Sequence, residues 1–143
     1  MSVEITHIKL WRSEVENKPG ILARTLEPLA ASHADLAVVM GYRYPGTHEK
    51  AAIEVYPVTG KKSVAAAKTV GLATSSVATL LVTGNNKAGL GHVIAKAIGD
   101  AGINVDFLVA QVVARRYAAV IGFNTEADAK TAAKLIKKAT KNK

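Results

Sequence analysis

The sequence contains no cysteine, which excludes disulfides, a thiol nucleophile and thiolate metal sites. It has no apolar run of about 18 residues, so no membrane-spanning helix is expected. Met1 to Glu14 carries no long apolar stretch and no cleavage signal, which argues against a secretory leader and for a cytoplasmic protein. The four histidines, His7, His33, His48 and His92, stand far apart, and no carboxylate accompanies one at ligand spacing. No metal site is therefore expected. A nucleophile elbow and a nucleophile–base arrangement are also missing. Neither catalysis of its own nor a cofactor is expected.

What the sequence has is globular composition. Of 143 residues, 49% are hydrophobic and 21% charged, which suits a folded chain. The net charge of +8 invites a nucleic-acid reading. Its distribution weakens that reading. Residues 130–143 hold six lysines (Lys130, Lys134, Lys137, Lys138, Lys141 and Lys143) and no acid. Without them, 13 basic residues face 11 acidic ones. The basicity belongs to the last helix, where lysines also complement the helix dipole.

An internal repeat organises the chain. Glu16-Asn17-Lys18-Pro19-Gly20-Ile21-Leu22 resembles Asn85-Asn86-Lys87-Ala88-Gly89-Leu90-Gly91 at an offset of 69. The same offset places Ala34-Asp35-Leu36 on Ile103-Asn104-Val105, and an offset of 67 places Ala51-Ala52-Ile53 on Ala118-Ala119-Val120. We read two repeats, 1–74 and 75–143.

Each repeat opens with a β-rich segment, Ile5–Ser13 and Val77–Thr83, followed by a tight turn. The period then becomes helical: Ile21, Leu22, Thr25, Leu26 and Leu29 match Leu90, Val93, Ile94, Ala97 and Ile98. Pro19 suits a helix start, and Pro28 is expected to kink or shorten the first helix. Alternation returns, with Leu36, Val38 and Met40 matching Val105, Phe107 and Val109 on one strand face. A type II turn is expected at Tyr44-Pro45-Gly46-Thr47, and a shorter one near Ala114-Arg115. The returning strands are about 50–57 and 117–124. Ala51, Ile53 and Val55 share one face with Ala118, Val120 and Gly122, and Tyr56 and Phe123 take the other. Helices follow at about 61–70 and 126–139, then a short strand at 72–75. The second repeat leaves only Thr140-Lys141-Asn142-Lys143 for its last strand, too short and too polar to be read as one. The order is β-α-β-β-α-β twice. This predicts an α+β fold of two ferredoxin-like repeats, with antiparallel sheets side by side and helices on one face.

The first strand–turn–helix junctions carry the chemistry. Gly20 and Gly89 let a ligand approach the backbone, and the helix start offers unpaired N–H groups that suit a carboxylate or phosphate. Asn85 and Asn86 add side-chain amides. The same residues also suit ordinary turns. The stretch Gly84–Gly91 lacks the Gly-Lys-Ser/Thr ending of a phosphate loop, and Ile94 stands where a dinucleotide fingerprint needs its third glycine.

Val15-Glu16-Asn17-Lys18-Pro19-Gly20-Ile21-Leu22-Ala23 resembles the first-loop signature of ACT domains, and Ala101-Gly102-Ile103-Asn104-Val105 resembles that family's approach to its second strand. The resemblance implies a regulatory module that binds an amino acid or related carboxylate. The ligand would sit at the interface between paired repeats, held by the first loop of one and the second-strand start of its neighbour. Carried over by position, the ligand-binding residues are Asn17, Pro19, Gly20, Ile21, Leu22 and Asp35 in repeat one. In repeat two they are Asn85, Asn86, Gly89, Leu90, Gly91 and Asn104. Ala88 stands where the family usually has proline, and His33-Ala34 replaces a Gly-apolar pair, so unequal sites are implied. Partners would be a small amino-acid ligand, further copies of the chain in a homo-oligomer, and a protein on another chain that is regulated. Two other readings stay open: a nucleic-acid-associated regulator using the lysine-rich helix, and a ligand-free dimerisation module. The central strands lack the aromatic set of RNA-binding sheets.

Overall fold

The computed structural model describes residues 3–141. They form two compact units. The first is Lys9–Ser76; the second combines the chain up to Ile8 with the chain from Val77 onward.

In the first unit, β2 (Trp11–Glu16), α1 (Ile21–Ala31), β3 (Val38–Arg43), β4 (Lys50–Tyr56), α2 (Lys61–Thr69) and β5 (Ala73–Thr74) follow in order. The strands make an antiparallel sheet ordered β3-β4-β2-β5. Alternation places Ile53 and Val55 on one face, where they join Leu29, Val58, Ala67 and Leu72 in the core. Trp11, Val15, Leu26 and Leu36 pack against that core.

The second unit contains β1 (Glu4–Ile8), β6 (Ala78–Asn85), α3 (Leu90–Asp100), β7 (Val105–Val113), β8 (Arg116–Phe123) and α4 (Glu126–Lys141). Its sheet is ordered β1-β6-β8-β7. Leu80, Val82, Ile94, Ile98, Ala119, Ile121, Phe123 and Ile136 fill its core. Each unit is thus an antiparallel four-stranded sheet with two helices, the ferredoxin-like pattern expected from the sequence.

Two expectations about the strands need correction. The segment Ile5–Ser13 is not one strand. It divides at Lys9-Leu10 into β1 and β2, which belong to different sheets. β1 pairs antiparallel with β6, as β5 pairs with β2. The N-terminal strand therefore fills the place that the end of repeat two leaves open. Thr140 and Lys141 instead belong to α4, and Asn142 and Lys143 lie outside the described residues.

The second correction concerns register. Val15 faces Ala51 and Gly84 faces Tyr117, so the returning strands are offset by 66 residues, not 67. Tyr117, Ala119, Ile121 and Phe123 face the core, and Ala118, Val120 and Gly122 lie on the other side. A bulge between Val105 and Phe107 also turns the strand over. Val105 packs on the core, whereas Phe107 and Val109 pair with Gly122 and Val120 on the opposite face. In the first unit Leu36 packs on the core while Val38 and Met40 pair with Tyr56 and Glu54.

Local chemistry sets the helix ends. Pro28 lies inside α1, which ends at Ala31 and is 11 residues long, the same as α3. Proline therefore does not shorten it. Thr125 starts α4, its hydroxyl accepting from the Asp128 N–H at 3.0 Å, with Glu126 and Asp128 in the first turn. At Tyr44–Thr47, Gly46 has φ 80°, as a type II turn needs. Ala114 and Arg115 both have positive φ in the β7–β8 hairpin, which matches the twist of two-residue hairpins.

Candidate functional site

The two strand–turn–helix junctions have the same geometry. Gly20 and Gly89 sit in the left-handed region at φ 85° and 87°, just ahead of α1 and α3. An L-residue is strained there. In the second unit the Leu90 N–H donates to Lys87 O at 3.1 Å and the Val93 N–H donates to Gly89 O at 3.1 Å. The N–H groups of Gly91 and His92 lie between these bonds and have no partner among the described residues. In the first unit Ile21 and Arg24 make the equivalent bonds to Lys18 O and Gly20 O, leaving Leu22 and Ala23 free. No side chain caps either helix. Each junction therefore exposes two adjacent backbone donors at the positive end of a helix dipole.

Asn17 and Asn85 hold the turns through their side chains, and Asn86 through its backbone. The Asn17 side chain donates to His48 O at 2.9 Å, and its backbone N–H donates to Glu49 O at 2.9 Å. Asn86 repeats the backbone bond, donating to Arg115 O at 2.8 Å. Arg116 donates to the Asn85 side-chain oxygen at 2.8 Å, which leaves the amide of Asn85 free to donate. Pro19 and Gly20 are exposed, Ile21 is half-buried, and Leu90 is buried under the turn.

Asp35 and Asn104 are exposed and lie elsewhere in their units. Each follows the far end of its helix, and an 11-residue helix spans about 16 Å. Neither unit by itself brings its first loop and its second-strand start together. Asp35 instead lines a hollow of about 520 Å³ with Ser32, His33, Lys61, Lys62 and Ser63. There the Ser32 and Ser63 hydroxyls are 3.0 Å apart.

Sequence reasoning missed Tyr117. It is 5% exposed, and its hydroxyl is buried with no hydrogen-bond partner among the described residues. A Cβ added at Gly91 would stand 3.8 Å from that oxygen. Burial holds the phenol above its ordinary range, so it keeps its proton. The correct register would have shown that Tyr117 answers Ala51, a small residue exchanged for a large one beside the loop.

No family model matches the chain, and no curated protein matches it in sequence. Solved structures do match in fold. Protein BT0572 from Bacteroides thetaiotaomicron superposes with a TM-score of 0.74 at 16% identity, covering 94% of this chain and 89% of that one. The ligand-free regulatory subunit of aspartate kinase from Thermus thermophilus gives 0.66 at 15% identity, covering 98% and 97%. The corresponding subunit from Thermus flavus gives 0.63 at 15% identity, covering 97% of each chain. These likenesses run nearly end to end, and the fold they show is the tandem ACT fold.

Proposed function

We propose that this protein is a regulatory module without catalysis of its own, which binds a small amino acid or related carboxylate at the loop before α3. The observation that carries the reading is the pair of unpaired N–H groups of Gly91 and His92, uncapped by any side chain. A carboxylate is the ligand group that two adjacent backbone donors and a helix dipole favour. The regulatory role is supported by neighbours in fold that are regulatory subunits of aspartate kinase.

Calorimetry with the twenty common amino acids tests it, on the wild type and on Gly89→Val. The expected result is binding of one or a few amino acids, lost in the variant, with the helical circular dichroism signal kept. Binding unaffected by Gly89→Val would remove the site from this loop. A thermal-shift screen gives the same answer more broadly, because a ligand selective for the native state raises Tm.

Self-association belongs to the same reading. β7 has one neighbour in its sheet, and Val109 and Val113 on it are 53% and 63% exposed. An apolar open edge is a surface that other chains pair with. Sedimentation is expected to show association that weakens in Val109→Lys.

A second reading has its own observation. Lys134, Lys137, Lys138 and Lys141 share one side of α4 and line a hollow of about 480 Å³. That surface favours a polyanion. Salt-sensitive filter binding of nucleic acid, lost when the exposed Lys134, Lys137, Lys138 and Lys141 are replaced by glutamine, would support it.

A further inference from the structure

Tyr117 is left over by the reading above. A phenylalanine would fill the same core space without placing a polar atom there. A buried hydroxyl without a partner destabilises a fold and calls for a reason.

The comparison of the two units supplies one. Around the first loop, Val15, Leu22 and Ala51 stand at the positions that Gly84, Gly91 and Tyr117 hold in the second unit. In the first unit the Leu22 side chain projects from the first turn of α1 and reaches within 3.7 Å of the Cβ position of Gly41. In the second unit position 91 has no side chain, and the tyrosine comes up from β8 beneath it. Gly91 is exposed, and the tyrosine lies buried with Gly84 below it. The result is an exposed first turn with two free N–H groups and a phenolic hydroxyl directly under it.

We propose that the Tyr117 hydroxyl is the third donor of the carboxylate site formed by the Gly91 and His92 N–H groups, and that the loop of the first unit, which has no such donor, is not an equivalent site. This rests on the ligand-binding role proposed above and deepens it. The ligand class is a small α-amino acid or simple carboxylate that fits over Gly91, in the space Leu22 fills in the other unit. The hydroxyl is closed off from water in the free molecule, so the bound carboxylate displaces part of its cover. The phenol is protonated at neutral pH, as a donor to a carboxylate must be.

The test uses full-length protein, the twenty L-amino acids and acetate as probes, and two variants. Tyr117→Phe is expected to weaken binding of whichever probe binds the wild type by about tenfold or more, the loss typical of one hydrogen bond to a charged group. Without ligand the same variant is expected to keep or raise Tm, because the orphan hydroxyl is gone. Gly91→Leu, which copies the first unit, is expected to abolish binding while the chain stays folded. Equal affinity in Tyr117→Phe would overturn this proposal and leave the regulatory reading standing. A lower Tm for ligand-free Tyr117→Phe would also overturn it, by showing the hydroxyl already bonded within the protein. No probe binding the wild type would overturn both readings.

Discussion

The ring of Phe107 lies across Gly122. A Cβ built at position 122 would run into Cε2 and Cδ2 of that ring. The two residues are paired across β7 and β8, immediately after the bulge that turns Phe107 away from the core. The first unit exchanges the sizes: Tyr56 stands on the central strand opposite Val38. Gly122→Ala is therefore expected to displace the phenyl ring and cost about 1–3 kcal/mol, the range for overpacking. In a Phe107→Ala background the same substitution should cost close to nothing, since the clash has gone. Urea denaturation of the four proteins in this cycle measures the coupling. Additive effects would mean that the ring does not constrain position 122.

Gly122 also marks a limit to what consecutive residues disclose. Helical and strand periods, the repeat and the two Gly-bearing turns were legible, because each is a local property of consecutive residues. The bulge was not. Asp106 gives no local signal of being an extra residue, yet it reverses the faces of Phe107 and Val109. The hairpins differ by one residue more than the sequence similarity suggests, and a slip of one exchanges every face of a strand. Tyr117 was hidden by that slip. β1 was hidden for another reason: Lys9-Leu10 reads as continuous strand, and only pairing partners reveal that β1 serves β6 while β2 serves β4.

Glu54 is 2% exposed, and the Tyr42 hydroxyl donates to its side chain at 2.8 Å. Removing the donor leaves a buried acceptor with its desolvation uncompensated. Tyr42→Phe is expected to cost about 1–3 kcal/mol by urea denaturation at pH 7. With Glu54→Leu already in place there is no acceptor left to satisfy, and adding Tyr42→Phe should change stability little. Equal losses in both backgrounds would show that Tyr42 contributes through packing alone.

Alkaline stability follows from Tyr117. Its pKa in the folded protein is raised by burial above the ordinary 10.0. Below that value the phenol is protonated in both states and the native state loses nothing. Above it the unfolded chain releases the proton while the folded chain retains it, so stability falls as pH rises through the folded pKa. One such group contributes at most about 1.4 kcal/mol per pH unit. Urea midpoints between pH 9 and 11 should therefore decline less steeply in Tyr117→Phe than in the wild type. Parallel declines would show that the phenol ionises alike in both states.

Three helices end in the same hydrogen-bonded cap, and one of them uses the wrong residue for it. After α2, Gly71 at φ 76° precedes Leu72, which donates to Ala67 O; after α3, Gly102 at φ 72° precedes Ile103, which donates to Ile98 O. After α1 the position belongs to His33 at φ 64°, and Ala34 donates to Leu29 O at 3.0 Å. The paired bonds are those of a Schellman cap, which favours glycine at its left-handed position. An L-residue held there loses about 1–2 kcal/mol to contact between Cβ and the following carbonyl. Glycine removes that contact and adds freedom to the unfolded chain, which takes back about 0.5–1 kcal/mol. His33→Gly is expected to stabilise the protein by up to about 1 kcal/mol, read as a higher urea midpoint. His33 also lines the hollow beside Asp35, Lys61 and Lys62, so the histidine has a second position to answer for. If His33→Gly lowers stability, the side chain is making a contact there that outweighs the strain of its backbone.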